Sequence, residues 1–573
     1  MNSNSKIVQE YLESLKEDKE LDKLFPVLLN IMKFRIIQTP IESKGQNQYG
    51  KDIIAIGKAN DGITYKWYFE LKGYDSKDIT DKNFSSTDGI RESIIEAKDT
   101  IFKDSSIKGF NNLPIKIVLV HNGIMKTNVR PTFEGFISKL FKDCEEQFER
   151  WDIYYLTELF SKYLFSEYLL HDSESIRLFK KTLVFLDTPD YNYSDFKNLI
   201  SLQFKKSDSI KGRSLNKLFA TLGLISNIIF HYSKENKNIT PAKECSKFLI
   251  LKTWEWILMK NFETKKAITN KFENLLKIQL EIFNSYFKVT FKIAKIENGL
   301  FYENGGLYET FGYPFRSFKY IDDMIYFSNL RNHFYYQKNE KLINKQKDLI
   351  IEVIKNNSSL ERPVLDNHSI VIVQLVLFFL NNNYRRQKDV NFITHYLFNL
   401  INNIILTKIK FNRLPDVYNN VDLTIEYMAT EKKPRDYTQS TSILLATLLE
   451  LMAVFNSKEM FEEILKHSDK ELSLQIPFIK MNENIELLMF SQNLYTEFSI
   501  ETINNLPNSI DTWKNNMDFN LFKKTTYDKK DNIKYKYRTD SAGYKFLRYL
   551  SHSYYKNEIF ADEWRSLIDL KEG

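Results

Sequence analysis

Between Tyr49 and Tyr74 the chain reads YGKDIIAIGKANDGITYKWYFELKGY, and these residues leave it little choice but a β-hairpin. Asp52-Ile53-Ile54-Ala55-Ile56 is a short apolar run, and Asn60-Asp61-Gly62 follows it. Asp-Gly between apolar runs is a strong hairpin signal, because the turn needs residues that accept positive φ. Ile63 to Leu71 is rich in Ile, Thr, Tyr, Trp and Phe, which suit a pleated, half-buried surface. Asp52 opens the first strand and Glu70 closes the second, eighteen residues later. In an antiparallel pair the start of one strand lies beside the end of the next, so the two carboxylates are expected at one end of the sheet. Glu70 and Lys72 are two apart and share a face of their strand. Two hard carboxylates suit Mg²⁺, which takes one or two of them together with water and substrate phosphate. An adjacent lysine can orient or deprotonate the attacking water, or stabilise charge on the phosphate. The chemistry that fits is metal-assisted hydrolysis of a phosphodiester. The competing reading is a surface hairpin ending in a solvated Glu–Lys pair. Glu-x-Lys alone does not decide, since it recurs at Glu17, Glu42, Glu96, Glu235, Glu263 and Glu431. Only Glu70 ends a strand-like run with an upstream Asp opening another.

Asp52…Glu70-Leu71-Lys72 resembles the D…(D/E)xK signature of the PD-(D/E)xK, or restriction endonuclease-like, superfamily. Within it, the chain is most similar to Mrr-type restriction enzymes and the nuclease effectors of bacterial anti-phage systems. Those begin with a helix carrying an acidic residue, then a Gly-x-Asp strand, then the ExK strand. Gly50-Lys51-Asp52 and Phe69-Glu70-Leu71-Lys72-Gly73-Tyr74 fit that pattern. The stretch Leu21-Asp22-Lys23-Leu24 to Phe34 resembles the first helix, with Asp22 at the acidic position. It departs from the family in three respects: Asp stands for Glu, Lys33 for Gly, and Pro26 falls inside the helix. Proline is best tolerated near a helix start, so the helix is expected to begin near Phe25, with Asp22 just outside it. The resemblance implies that Asp52, Glu70 and the Leu71 carbonyl bind Mg²⁺ or Mn²⁺. It implies that Lys72 activates water or stabilises the transition state, and that Asp22 is an accessory ligand. Family members often carry a polar residue on the helix after the ExK strand; Glu92, Ser93 and Glu96 are the candidates here. Lys44 and Lys51 are candidate phosphate contacts. The implied substrate is double-stranded DNA, and the implied setting is a prokaryotic defence system.

The order of elements expected over residues 20–169 is α-β-β-β-α-β-α-β-α, the superfamily core. Its later members are a helix at 89–102, a buried strand at Leu113–Val120, a helix at 131–149, a strand at Trp151–Leu156 and a helix from Thr157 to Leu169. His121 at the end of the buried strand reads as structural. Residues 1–20 form an amphipathic helix on Ile7, Tyr11, Leu12 and Leu15, with Glu10, Glu13, Glu17 and Glu20 solvated; one of these takes the role of Asp22 if the first helix is misplaced. After 170 the strand signals fade and apolar residues recur at helical spacing. The fold class expected is therefore α+β: an N-terminal restriction endonuclease-like α/β domain at 1–169, with a mixed sheet flanked by helices, then a large mostly α-helical region. That region divides into 170–412 and 413–573 at a stretch holding Pro415 and Pro434.

Composition bounds the rest. At 573 residues the chain is too long for one core. Two cysteines, Cys144 and Cys245, exclude a disulfide framework or a zinc-finger site. The polar N-terminus and the shortness of the apolar run Ser369–Leu380 argue for a cytoplasmic protein with no membrane partner. There is no Walker loop, so any ATPase would be a separate subunit, and Arg331-Asn332-His333 is too tightly spaced for the Arg…His motif of helical RNases. The net charge of +7 is compatible with nucleic acid, as is the basic, aromatic stretch Lys523–Lys556, where Lys534, Lys536 and Arg538 alternate with Tyr535 and Tyr537. Cutting both strands needs two sites, hence a homodimer or a partner protein such as a sensor. The alternatives are a catalytically silent DNA-docking and assembly module, or an RNase.

Overall fold

The structure is a computed structural model. It describes residues 3–557 except 41–48, 75–77, 88, 143–146, 165–169, 171, 190, 207–211, 302–307, 337–338, 381–383, 416–418, 436–441, 468–475, 479–481, 492–500, 504–508 and 512–534. The chain divides into two compact units, Met1–Leu249 and Ile250–Gly573. The α+β class is as expected.

In the first unit, α1 (Ser3–Ser14), a π-turn (Glu17–Leu21) and α2 (Asp22–Ile31) precede a five-stranded sheet. Its strands are β1 (Arg35–Gln38), β2 (Ile53–Lys58), β3 (Thr64–Lys72), β4 (Ile115–His121) and β5 (Phe148–Trp151), lying in sequence order. β1, β2 and β3 pair antiparallel, and β3, β4 and β5 pair parallel. Between them run α3 (Asp81–Ser85), α4 (Ile90–Asp99) and α5 (Arg130–Leu140), and α6 (Ile153–Tyr163) follows. The hairpin turn is as its residues demand: Gly62 has φ 81°, and the Asp61 carboxylate accepts from the Ile63 amide at 2.7 Å.

Strand alternation sorts the core into two layers. On one face Trp67 and Phe69 stack at 5.8 Å between ring centres, with Phe25 of α2, Phe34 and Trp151 around them. On the other, Ile54, Tyr68, Ile117 and Leu119 pack with Ile90 and Ile94 of α4 and Phe133 of α5. The last strand is shorter and earlier than the expected Trp151–Leu156, because Asp152 caps a helix there. Its Oδ1 accepts from the amides of Tyr154 and Tyr155 and starts α6 at once.

α2 begins at Asp22 rather than near Phe25. Pro26 lies inside it and supplies no amide to the Asp22 carbonyl, so the helical ladder is weakest where the π-turn meets α2. At the other end Lys33 has φ 67°, and the amides of Lys33 and Phe34 bond back to Asn30 and Leu29. This is a left-handed helix cap, a geometry that glycine satisfies most readily.

The first unit extends past the expected boundary at 169. It includes α7 (Ser173–Val184), α8 (Ser194–Lys205) and α9 (Arg213–Glu235), and α1 packs against both α6 and α9. α10 (Thr240–Met259) follows. The second unit is mostly helical: α11 (Lys266–Ala294), α12 (Tyr313–Arg331), α13 (Glu340–Asn356), α14 (His368–Leu380), α15 (Gln387–Phe411), α16 (Val421–Thr430), α17 (Ile443–Val454), α18 (Lys458–His467), α19 (Glu483–Leu488), α20 (Arg538–Ser541) and α21 (Lys545–Tyr555). A short antiparallel pair, β6 (Ile476–Phe478) and β7 (Glu501–Ile503), interrupts the helices. The apolar run at 369–380 is α14, a helix buried along its whole length. Its Gln374 amide donates to the Tyr549 carbonyl and Ser553 Oγ, which satisfies a polar group in an otherwise apolar core. The expected boundary at 412 falls inside this unit. There the Asp366 carboxylate accepts from Ser442 Oγ and from the amides of Ile443 and Leu444, fastening the start of α17. Among the described residues, no helix is long and apolar enough to cross a membrane.

Two left-handed residues give opposite expectations. Lys33→Gly relieves a side chain held at positive φ and should stabilise by about 1 kcal/mol. Gly50 has φ 67°, and a Cβ there would meet the Ser93 carbonyl oxygen of α4 at 1.9 Å. Gly50→Ala should therefore cost more than about 2 kcal/mol. Urea denaturation of both variants checks the pair of signs.

Candidate active site

The site is assembled by the pairing of β2 with β3. Ile53 lies opposite Phe69, so the preceding residue, Asp52, comes beside Glu70. Asp52 Oδ2 accepts from the Leu71 amide at 2.7 Å, which fixes that carboxylate on the end of β3. Lys72 Nζ contacts Glu70 Oε1 at 2.6 Å, with Glu70 buried and Lys72 only slightly exposed. The π-turn closes the site from the helical side: Glu17 Oε2 accepts from the Gly73 amide at 2.7 Å. Gly73 has no room for a side chain, since a Cβ would meet the Glu17 backbone nitrogen at 2.8 Å. Asp22, in the first turn of α2, has its Oδ1 buried without a hydrogen-bond partner.

These charges perturb one another. Burial, reinforced by repulsion from Glu70, pushes Asp52 up to about 8, against the pull of the Leu71 amide and Lys72. Glu17 is raised by burial, with Lys72 and the Gly73 amide opposing. Burial works against the Lys72 ammonium, but Glu70, Glu17 and Asp52 outweigh it and hold its pKa above that of an ordinary lysine. Lys72 is therefore an ammonium at neutral pH. Of the roles open to it in the sequence, donating to water or to phosphate suits this state, and taking a proton does not. The Tyr74 hydroxyl, raised to about 12 mainly by burial, stays neutral beside the same carboxylates.

Four sequence-derived residues thus come together: Asp52, Glu70 and Lys72 on the sheet, with the Leu71 backbone between them. Asp22 stands behind Glu17, close enough for the two charges to raise the Glu17 pKa. The residue not singled out is Glu17, expected among the solvated glutamates of the first helix. The signal for it was the break in helical periodicity after Leu15, which puts a separate turn before Asp22. Lys51, a candidate phosphate contact, points into the protein. It is buried, its Nζ donates to the Tyr49 carbonyl at 2.9 Å, and burial lowers its pKa to about 8. Lys44 lies outside the described residues. On α4, Glu92 and Glu96 are exposed while Ser93 is half-buried against Gly50. His121 is in register with Lys72 on β4. Burial and the nearby Arg150 lower its pKa to about 4, so it is a neutral ring. The basic stretch near the C-terminus is engaged internally where it is described. Tyr535 and Arg538 bond to Glu486, and Arg538 also pairs with Glu263 at 2.9 Å. Only Lys536 of this group is exposed; Lys534 lies outside the described residues.

A buried Glu70, a half-buried Asp52 beside it and an orphaned carboxylate oxygen fit a divalent cation, whose charge would relieve the repulsion. Among the described residues no three His, Cys, Asp or Glu side chains converge as a ready-made metal cluster, so the donor set on offer is two carboxylates supplemented by backbone and water. No protein-family model matches the chain, and neither a curated protein nor a solved structure does.

The raised Asp52 pKa makes a signed prediction. Without metal, the folded chain retains a proton that the unfolded chain releases from about pH 4 upward, so Asp52 erodes stability as pH rises toward 8. Asp52→Asn, which can still accept from the Leu71 amide, should melt near the wild type at pH 5 in EDTA and clearly above it at pH 9. Equal melting differences at both pH values would refute this assignment of the charge.

Proposed function

We propose that the first unit is a metal-dependent endonuclease that hydrolyses DNA phosphodiester bonds, and that the chain is a regulated effector of a prokaryotic anti-phage system. The observation that carries this reading is the meeting of Asp52, Glu70 and Lys72 at one end of a mixed sheet, with Glu17 and Asp22 arriving from the helical side. The resemblance of Gly50-Lys51-Asp52 and Phe69–Tyr74 to the PD-(D/E)xK pattern supports the substrate class and the setting.

Asp52, Glu70 and the Leu71 carbonyl would hold Mg²⁺ or Mn²⁺, with Asp22 as an accessory ligand. When bound, such an ion polarises the phosphate and makes water more acidic. The chain's own residues do the rest. The Leu71 amide keeps Asp52 aimed, and the Gly73–Glu17 bond holds the end of β3 against the π-turn. Lys72 stays protonated and offsets the negative charge that builds on the phosphate as water adds. One P–O ester bond breaks, and the leaving oxygen ends with a proton that came from the water. Cutting both strands calls for a homodimer, or for a partner protein that also supplies the control an ATPase or sensor subunit would give.

Purified protein should nick or linearise plasmid DNA with Mg²⁺ or Mn²⁺ and not with EDTA. Glu70→Ala and Lys72→Ala should each slow cleavage by about 100-fold or more. Cleavage unchanged in both variants would place the activity elsewhere. Preferential cutting of RNA would reassign the substrate, and DNA binding without cutting under every condition would favour a docking module. Metal affinity should rise with pH up to about 8, because the ion competes with the proton on Asp52. Titration calorimetry in buffers of different ionisation enthalpy measures that proton.

A further inference from the structure

The second unit contains a cavity of about 250 Å³ that the nuclease reading does not use. One stripe of α15 forms its floor: Asn403, Leu406, Thr407, Lys410 and Phe411, at the three- and four-residue spacing that puts side chains on one helix face. Arg362, Pro363, Arg413 and Pro415 also line the cavity, with Thr424 and Met428 of α16. Three cations therefore line one cavity, and among the described residues no Asp or Glu lines it.

The lining has two chemical halves. Among the described residues, the Arg362 guanidinium makes one long contact, 3.4 Å, to the neighbouring Ser358 hydroxyl, and Lys410 is exposed. Thr407 and Thr424 give their hydroxyl protons to backbone carbonyls of their own helices, which leaves the hydroxyl oxygens as acceptors. Asn403 donates to the Glu361 carbonyl. The strong donors facing the cavity are thus the cations, whose natural complement is a phosphate. The other half is apolar. Leu406 is 48% exposed and Phe411 63%, and the Arg413 guanidinium stands over the Phe411 ring at 5.8 Å. An exposed ring flanked by a guanidinium is a platform for a flat, conjugated body. Ligand cavities of roughly 300 Å³ and above commonly take small organic molecules, and this one lies just below that range.

We propose that this cavity binds a small organic phosphate of about nucleoside-monophosphate size, with the phosphate on Arg362 and Lys410 and a planar body on Phe411. The site is independent of the nuclease reading and stands or falls without it.

Titration calorimetry on the full chain, using adenosine 5′-monophosphate, adenosine and inorganic phosphate as separate probes, tests the proposal. The monophosphate should bind saturably at one site per chain, and each of the other two at least tenfold more weakly. Arg362→Glu combined with Lys410→Glu should abolish binding while the melting temperature is kept, since neither side chain is buried. Phe411→Ala should weaken the monophosphate at least fivefold and leave inorganic phosphate unchanged. Glu70→Ala should bind as the wild type does. Absence of saturable heat from the monophosphate at millimolar concentration would overturn the proposal, and so would binding undiminished in the double variant. A short single-stranded oligonucleotide that binds this site while the monophosphate does not would also overturn it.

Discussion

The register of β2 against β3 is the constraint on which the rest of the first unit depends. Side chains alternate faces with a period of two, so a slip of one residue would turn Trp67 and Phe69 away from α2 and carry Asp52 off the end of Glu70. Three features hold the register. The Asp-Gly turn sets the loop length. The Trp67 indole donates to the Gly57 carbonyl at 2.9 Å across the hairpin. The aromatic cluster on one face and the aliphatic cluster on the other each accept only one alternation. The packing that stabilises the sheet is therefore also what juxtaposes the charges.

That juxtaposition works against stability. Two carboxylates in a buried corner repel, and one ammonium cannot neutralise both. The chain answers locally with backbone amides, one to Asp52 and one to Glu17. The remainder is left as a raised proton affinity. Groups so perturbed cluster at functional sites more often than elsewhere, although structural ion pairs do the same. Lys347 in the second unit is a case of the latter. It is fully buried, but its ammonium is satisfied by Asp389 and by the carbonyls of Phe379 and Tyr384.

Much of this was legible in the sequence, and for physical reasons. A hairpin of strong strand formers with an Asp-Gly turn has few alternatives, so Asp52, Glu70 and Lys72 could be brought together from spacing alone. The element order around the sheet was readable from strand and helix periodicity. The failures lie where tertiary contacts override local rules. Pro26 argued for a late helix start, but the π-turn at Glu17–Leu21 already carries helical backbone into α2 at Asp22. Lys51 looked like a loop cation, yet its ammonium stands over the Tyr68 ring and donates to the backbone carbonyls of Tyr49 and Glu96. The alternating tyrosines and cations near 535 were compatible with a nucleic-acid surface or a solvated segment, and their partners Glu486 and Glu263 lie far away in sequence and could not be foreseen. The boundaries expected at 169 and 412 differ from the division into two units at 249. Composition changes at both points, while the contacts that join α1 to α9 and Asp366 to α17 cross them.

The π-turn at Glu17–Leu21 faces two ways. Glu17 holds the end of β3, and three residues later Glu20 holds Lys217 of α9 at 2.5 Å while also accepting from the Lys16 amide at 2.8 Å. A five-residue segment gripped at both ends has no slack. Adding or removing one residue would swing one carboxylate out of reach of its partner, whichever end stayed in place. Length in this segment is thus as much a part of the site's specification as the identity of Glu17, and a chain of altered length here would need a different acidic residue to reach Gly73.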